Sequence, residues 1–481
     1  MSRGKFLLKS ASRLRQSHHC SLRIGEEPGT KPAQPPEVNS AFGLALTVPP
    51  ISQVSASMKP FSPNHRLPLN RGPVEFCIGS EADHEAVYQT LLHVFHGPDR
   101  DAFLGALSDP DYRPDQRLLV KVEGKVASHL HLTERSMRYG SALLPMNGVM
   151  WVATLPEYRG LGFAPNLRRM ADDRARETGA VVQVLTTGMP QFYRPLGWGI
   201  CGRQVIGKSL SRNLPASGDG LLESRRGAWH VRPWRQVELN DLMRLYDHQY
   251  ARTTGSVVRN EDYWRWIIGR RYAHVIWVAC LGDSAHGYAF VKDHKVLELA
   301  FDPQHPQALQ ALLGRVRAEA LERAYPEVLV HAPIDHPAMK SIGQFKGTII
   351  NQEEHEGSIS MYHIPDADRF LTAALPELSA RAVASGGPLP VELGVTVGDR
   401  RWLIQAGNSP ETSRIEPDRL GRRHLTFSPA AFTRLAMGHT GIDRALAEDG
   451  VETSTATAID AARILFPERS LWRSPLDSAT A

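Results

Sequence analysis

Cysteine is scarce: the 481 residues hold four, Cys20, Cys77, Cys201 and Cys280, with no Cys-x-x-Cys pair among them. That spacing excludes a disulfide scaffold and a Cys-rich structural zinc site, and it fits a reducing compartment. The one local metal-like run, His18-His19-Cys20, lies in a stretch without folding signals, so no metal is expected. Long apolar runs are missing too. Nothing approaches the roughly 20 apolar residues of a spanning helix, and Phe6-Leu7-Leu8 stops at Lys9, well short of a signal-peptide core. A cytoplasmic protein with no membrane partner is expected. The folded part also lacks an excess of positive charge. The net charge is +5, yet residues 1–72 alone carry ten Lys/Arg against three acids, a balance of +7 that leaves −2 for the rest. A nucleic-acid partner would need its cations gathered on a folded element, so none is expected.

What is present is an ordinary globular composition, 42% apolar and 22% charged, long enough for about three domains. Residues 1–72 are basic and then rich in Pro, Ser and Asn, without periodicity, which predicts a disordered tail. Its acid-poor first 22 residues read equally as an organellar transit peptide or as an extension upstream of a start at Met58. Folding signals begin with the strand Val74-Glu75-Phe76-Cys77-Ile78. Ser80 and Asp83 then make a capping-box-like start for a helix with Val87, Leu91, Val94 and Phe95 as its buried stripe. Strands are predicted at 118–122, 126–132 and 146–154, a helix at 165–178 ended by Gly179, and a strand at 181–186. That order predicts an α+β sandwich over 73–212. Pro, Ser, Gly and charge crowd 211–228, and a similar layout recurs over 229–362. There the helices fall at 240–250, around Tyr263-Trp264-Trp266 and at 306–323, and the strands at 274–280, 287–291 and 327–331. A third segment, 366–475, shows strands at 401–404 and 424–427 and helices at 430–437 and 458–465.

The most informative stretch is Trp151-Val152-Ala153-Thr154-Leu155-Pro156-Glu157-Tyr158-Arg159-Gly160-Leu161-Gly162-Phe163-Ala164. A buried strand enters a turn with two glycines and then a helix. Gly160 and Gly162 let the backbone approach a ligand closely, and Pro165 suits a first helical turn, whose N–H groups have no intrahelical acceptor. Aligned amides and the positive end of the helix dipole suit a pyrophosphate, while Arg159 adds a cation able to take two phosphate oxygens. Other phosphate loops do not fit. No Lys follows at the GxxxxGK[ST] spacing, and Gly160-Leu161-Gly162-Phe163-Ala164-Pro165 lacks the third glycine of GxGxxG. Taken alone, the motif is also compatible with a plain strand–helix turn. Downstream stands Gln191-Phe192-Tyr193-Arg194-Pro195-Leu196-Gly197-Trp198.

Residues Pro156 to Ala164 resemble the acetyl-CoA-binding motif R/Q-x-x-G-x-G/A of the GNAT acetyltransferases. Phe192-Tyr193, with Leu196-Gly197-Trp198 behind it, resembles that family's FYxxxGF element. From Val74 onward the chain is similar to the enhanced-intracellular-survival acetyltransferases, which join an active GNAT domain, a degenerate copy and a sterol-carrier-protein-like domain. The resemblance implies an α+β chain of tandem GNAT folds followed by a sterol-carrier-protein-like α/β domain. The N-terminal GNAT acetyltransferase domain would span 73–212 and the degenerate GNAT-like domain 229–362. In the latter, Phe301-Asp302-Pro303-Gln304-His305-Pro306 stands where the glycine turn would be, and without glycine it cannot cradle a pyrophosphate. The sterol-carrier-protein-like domain would span 366–475, where Leu425-Thr426-Phe427-Ser428-Pro429-Ala430-Ala431-Phe432 precedes Gly438. A ring-like homo-oligomer is implied as well.

The resemblance further implies acetyl-CoA as co-substrate and direct transfer to a primary amine, on a small molecule or a lysine side chain. Val152 and Thr154 would bond the pantetheine arm and thioester through their main chain. Gly160, Leu161, Gly162, Phe163 and Ala164, with Arg159, would hold the pyrophosphate. Tyr193 matches the family's catalytic tyrosine. A phenol, with a reference pKa of about 10, keeps its proton at neutral pH and can protonate the departing thiolate; its bland alternative is a core tyrosine beside Phe192 and Trp198. Four acceptors for the amine's proton stay open: His129, His131, the C-terminal carboxylate and water. The two histidines alternate with Leu130 and Leu132 and so share one side of a strand, where solvated side chains are the commoner outcome. The carboxylate serves the resembling family, but Ala481 ends a polar run after Trp472 without an apolar anchor, which predicts a free tail. A different reading makes the chain a non-catalytic acyl-CoA or lipid-binding protein with a vestigial GNAT domain.

Overall fold

The computed structural model describes residues 72–216, 223–224, 227–355 and 357–477. The tail expected over 1–72 lies outside the described residues, except Gly72. Four antiparallel strands open the first sheet: β1 (Val74–Ile78), β2 (Arg117–Val122), β3 (Lys125–Tyr139) and β4 (Ala142–Thr154). Helices α1 (His84–Phe95) and α2 (Arg100–Leu107) link β1 to β2. Helix α3 (Phe163–Thr178) supplies the crossover that a parallel neighbour requires, carrying the chain from β4 to β5 (Val182–Thr187). The Ser80–Asp83 box forms as the spacing predicts. The Asp83 carboxylate accepts both the amide (3.0 Å) and the hydroxyl (2.8 Å) of Ser80, closing a short 3-10 turn ahead of α1. The buried stripe of α1 is shorter than expected: Val87, Tyr88 and Leu91 pack inward, but Phe95 is 49% exposed, because the last turn runs past the apolar cluster beneath it. Conversely, β3 and β4 are longer than their alternation suggests. Their far ends, Met137, Tyr139, Ala142 and Leu144, are buried by later parts of the chain.

A short α4 (Pro190–Tyr193) follows β5, and then β6 (Gly199–Ile200) and β7 (Gln204–Leu210). Here the chain does something the linear pattern does not announce. β7 leaves the first lobe and pairs with Glu327–His331 and Thr348–Gln352 in a second eight-stranded sheet. In return Ser358–His363, which follows the second lobe in sequence, pairs antiparallel with β5 and β6 in the first. Without it β5 in the first sheet and Glu327–His331 in the second would each present a row of unpaired N–H and C=O groups; the exchange pairs both strands. The compositional break at 211–228 therefore falls after a strand that already belongs to the second sheet. The second sheet also holds Lys295–Phe301, a strand absent from the sequence reading, between Ser284–Lys292 and Glu327–His331.

The third lobe has five strands, in the order Arg414–Pro417, Arg400–Ala406, Val391–Val397, His424–Phe427 and Glu452–Thr453. Helices Ala367–Ala384, Pro429–Ala436 and Ala456–Leu465 back it, and Phe370, Phe432 and Phe466 fill the space between. It docks on the hairpin turn between β3 and β4. Tyr139 donates its hydroxyl hydrogen to the Ala436 carbonyl (2.6 Å), and the Glu377 carboxylate accepts the Ser141 amide (2.7 Å). Gly140, at φ 60°, holds a left-handed conformation that favours glycine, and a Cβ there would push the Glu377 carboxyl off its place against Ser141. Among the described residues no helix is long and apolar enough to cross a membrane.

The run after Trp472 is anchored as far as Asp477, where the sequence offered no apolar anchor; the free tail expected at Ala481 lies outside the described residues. Trp472 stacks on Tyr250 (4.7 Å), Leu476 is buried, and Asp477 enters a fully buried ion cluster. Arg259 there makes two bonds to Glu298 (2.9 and 2.6 Å) and two to Asp477 (both 2.9 Å), with its guanidinium over the Tyr246 ring at 4.1 Å. One cation faces two carboxylates, so Arg259→Met strands both acids in an apolar core. A loss of about 3–5 kcal/mol is expected, read as a lower urea midpoint. Asp477→Asn, which leaves Arg259 paired with Glu298, should lower the midpoint less.

Candidate active site

The site begins at a fault in the first sheet. Register between β3 and β4 shifts where His129 faces Ala153 and His131 faces Met150, so Trp151 and Val152 together oppose Leu130. Trp151 sits at φ 49°, a costly conformation for a bulky residue, stored in a β-bulge. Past the bulge β4 turns away. Its parallel pairing with β5 covers only Met146, Asn147 and Gly148, so from Val149 to Thr154 the two strands diverge and leave main-chain groups facing a gap. Val152 lies in that opening. The Thr154 carbonyl accepts from Arg159 Nε at 3.2 Å, which folds the arginine back over the strand end, and the Thr154 hydroxyl is 2.8 Å from that of Ser128.

The glycine turn closes the same end. Gly160 and Gly162 both take φ 77°, and Gly162 is the left-handed residue that starts α3. No amide of residues 160–164 donates to an acceptor among the described residues, and around Gly160 a Cβ would meet open space. Five N–H groups at the positive helix end are thus left without an acceptor among the described residues, beside the end of the gap. Helix α3 starts two residues earlier than the sequence reading and ends at Gly179, as read; Leu167, Ala171 and Ala175 hold it to the sheet, while Met170 is half-buried.

Tyr193 closes α4, directly after β5 and so beside the gap. Its ring packs edge-on against Phe192 (4.9 Å) and Trp198 (5.8 Å). Burial pushes its phenol up to about 12, and its hydroxyl makes no hydrogen bond among the described residues. The segment behind it is pinned by groups that no local pattern pairs. Arg168 of α3 donates to the Leu196 carbonyl (3.3 Å) and to Asp172 (2.9 Å), and His363, on the exchanged strand, donates to the Gly197 carbonyl (3.3 Å) and stacks on Trp198 (5.4 Å). Burial pushes the Asp172 carboxyl up to about 6 and His363 down to about 4.

The two strand histidines are neither solvated nor free to act as bases. His129 is bracketed. The Trp151 carbonyl (2.9 Å) can only accept, so Nδ1 carries the proton; Arg117 Nη1 (3.0 Å) can only donate, so it occupies the Nε2 lone pair. Burial, then the Arg117 charge, pushes His129 down to about 3 and His131 well below its ordinary value. His131 lies between Trp151 (5.9 Å) and Tyr112 (5.6 Å) with both ring nitrogens unpartnered. These histidines form a neutral floor under the bulge, with the Arg117 cation inside it.

Sequence reasoning missed the cleft on the other side of Trp151. A cavity of about 780 Å³ lies between α2 and the helix Glu261–Gly269 of the second lobe. Asp99, Asp101 and Asp262 bring carboxylates to it, Trp151 and Trp266 bring aromatic faces, and Arg270 is the one cation among its lining residues, set over Trp266 at 4.5 Å. Trp266 donates its indole N–H to the Gly105 carbonyl (2.9 Å), fixing the two walls together. Helix α2 is missing from the sequence reading because its eight residues are too few for periodicity to register; Asp99, which accepts the Ala102 amide (2.7 Å), is its available signal.

Comparison with known proteins bears on this geometry. No curated protein matches the chain by sequence. In fold it is similar to a GCN5-related N-acetyltransferase from Anabaena variabilis, with TM-score 0.66 and 17% identity over 83% of this chain and 99% of that one. A GCN5-related N-acetyltransferase from Kribbella flavida gives TM-score 0.66 and 17% identity over 84% and 98%. Eis1 from Mycobacterium abscessus gives 0.57 and 16% over 82% and 97%. The bulge, the gap, the glycine turn and Tyr193 all fall within residues 78–201, and that span matches the family model described as the acetyltransferase (GNAT) domain.

Proposed function

We propose that the first lobe transfers the acetyl group of acetyl-CoA directly to a primary amine. The observation that carries the reading is the opening between β4 and β5, ended by a turn whose unpaired amides sit at a helix start. The amides of residues 160–164 and the Arg159 guanidinium suit the pyrophosphate, and the main chain of Val152 and Thr154 suits the pantetheine arm and thioester. An amine nitrogen attacks the thioester carbonyl carbon, the C–S bond breaks, and the Tyr193 hydroxyl gives its proton to the departing sulfur. The amine's proton leaves to water, because His129 and His131 are occupied or sealed. Three carboxylates and two indoles in the adjoining cavity favour an acceptor that is a cation with an apolar body. The five-stranded third lobe and the strand–helix–Gly run to Gly438 support reading 366–475 as sterol-carrier-protein-like; its aromatic-filled interior makes it a docking element for the first lobe more than a lipid carrier.

The test pairs calorimetry of coenzyme A binding with thiol release across an amine panel. Replacing Gly160 and Gly162 together with valine should weaken CoA binding by about tenfold to a hundredfold, a loss of about 1.4–2.8 kcal/mol, with the circular dichroism spectrum retained. Undiminished affinity in a folded variant removes the proposed site. Wild-type protein that binds acetyl-CoA but releases no thiol with any amine is a binding protein instead.

A further inference from the structure

The second lobe repeats the strand–turn–helix path of the first, but its turn carries different chemistry. Lys295–Phe301 leads through Asp302-Pro303-Gln304-His305-Pro306 into the helix Gln307–Glu322. In the first lobe this place offers amides to an anion. In the second, Asp302 and His305 of the turn meet His286 of the neighbouring strand Ser284–Lys292. His305 Nδ1 is 2.9 Å and His286 Nδ1 3.4 Å from the same oxygen, Asp302 Oδ2, and one ligand atom from each of the three residues lies within 4.8 Å of the others. Ligand atoms about 2.0–2.2 Å from one ion, in tetrahedral or octahedral array, stand about 3.0–3.5 Å apart; the two distances to Asp302 Oδ2 are close to that spacing, and a small turn of the rings suffices for the third.

The three groups are also held in place. Asp302 Oδ1 accepts the Gln304 amide (3.0 Å), which leaves Oδ2 turned to the imidazoles. The Asp302 amide donates to the His286 carbonyl (2.8 Å), tying turn to strand, and the His305 amide donates to the Asp302 carbonyl (2.8 Å). Pro303 and Pro306 fix φ on either side of the pair. The Trp229 indole walls both rings, 5.7 Å from His286 and 6.2 Å from His305. The imidazoles lie 3.9 Å apart between centroids, and all three side chains keep between 17 and 21% exposure, so an ion can reach them. Their separation in sequence, 16 and 19 residues from His286, hides the group from any search by local spacing.

We propose that His286, Asp302 and His305 bind one divalent transition-metal ion of the zinc class, with the remaining coordination positions open to water. Two imidazoles and a carboxylate suit zinc, cobalt and nickel, and disfavour magnesium and calcium, which take oxygen ligands. The ion clips the turn to the sheet at the point where the first lobe holds its phosphates.

Cobalt(II) serves as the probe, added to the full chain in a non-chelating buffer. Wild-type protein should bind one more equivalent than His286→Ala/His305→Ala, with visible d–d absorption present only in the wild type. Its unfolding temperature should rise on adding zinc, and that rise should be missing from the double variant. Asp302→Asn, a milder change that serves if the double variant does not fold, should lower cobalt affinity by roughly tenfold or more. Equal stoichiometry and spectra in wild type and variants, or no cobalt bound by the wild type, overturns the site.

Discussion

Replacing Tyr193 with phenylalanine is expected to lower kcat for acetyl transfer by roughly a hundredfold to a thousandfold, within the range for loss of a general acid, with CoA affinity unchanged. The substitution removes one oxygen that has no hydrogen-bond partner among the described residues and keeps a ring already packed against Phe192 and Trp198. Stability should hardly move, so the loss reports on chemistry. Burial raises the phenol to about 12, which means the proton is present at every practical pH. The kcat profile should therefore show no falling limb from this group in the neutral and mildly alkaline range. Steady-state thiol release and calorimetry on the same preparations check all three statements. A Tyr193→Phe enzyme retaining most of its kcat would assign the tyrosine to packing alone.

Acidification from pH 7 to 5.5 is expected to destabilise the fold by on the order of 5 kcal/mol, a large share of a typical total of about 5–15 kcal/mol. Five histidines among the described residues are buried: His129, His131, His336, His363 and His439. Burial holds His129 and His336 down to about 3, His363 and His439 to about 4, and His131 well below its ordinary value. In the unfolded chain each takes a proton below about pH 6.5, while in the fold it does not. Their contribution is complete above about pH 6.5 and is lost as pH falls toward the folded values, on the order of 1 kcal/mol each by pH 5.5. Asp172 works the other way. Its carboxyl, raised to about 6, takes a proton in the fold that the unfolded chain refuses, and returns somewhat under about 1 kcal/mol over the same window. Urea midpoints by tryptophan fluorescence at the two pH values test this; a midpoint that holds or rises at the lower pH contradicts it.

What could be read from the sequence depended on locality. The strand–turn–helix from Trp151 to Gly179 was legible because its signals, two glycines, a proline and an apolar stripe, all act within a few residues. Val74–Ile78, Glu327–His331 and His424–Phe427 are likewise bounded by their own neighbours. The alternation of His129 and His131 is real, but alternation gives only a shared face; that this face is the interior follows from Arg117 and Trp151, 12 and 22 positions from His129. The anchor at Asp477 depends on Arg259, 218 residues distant, and the cleft depends on α2 meeting a helix of another lobe. The exchange of β7 for Ser358–His363 leaves no local trace, since an apolar strand fits either sheet edge equally well.

That exchange has a consequence for how the protein comes into being. A nascent chain that has emerged only as far as β6 already carries the glycine turn and Tyr193, yet its sheet still lacks the border supplied by Ser358–His363 and the His363 ring that props Trp198. The opening between β4 and β5 can reach its final form only after residues 201–363 have left the ribosome. Until then the bare margin of β5 is a place where the growing polypeptide is open to wrong partners or to the care of a chaperone.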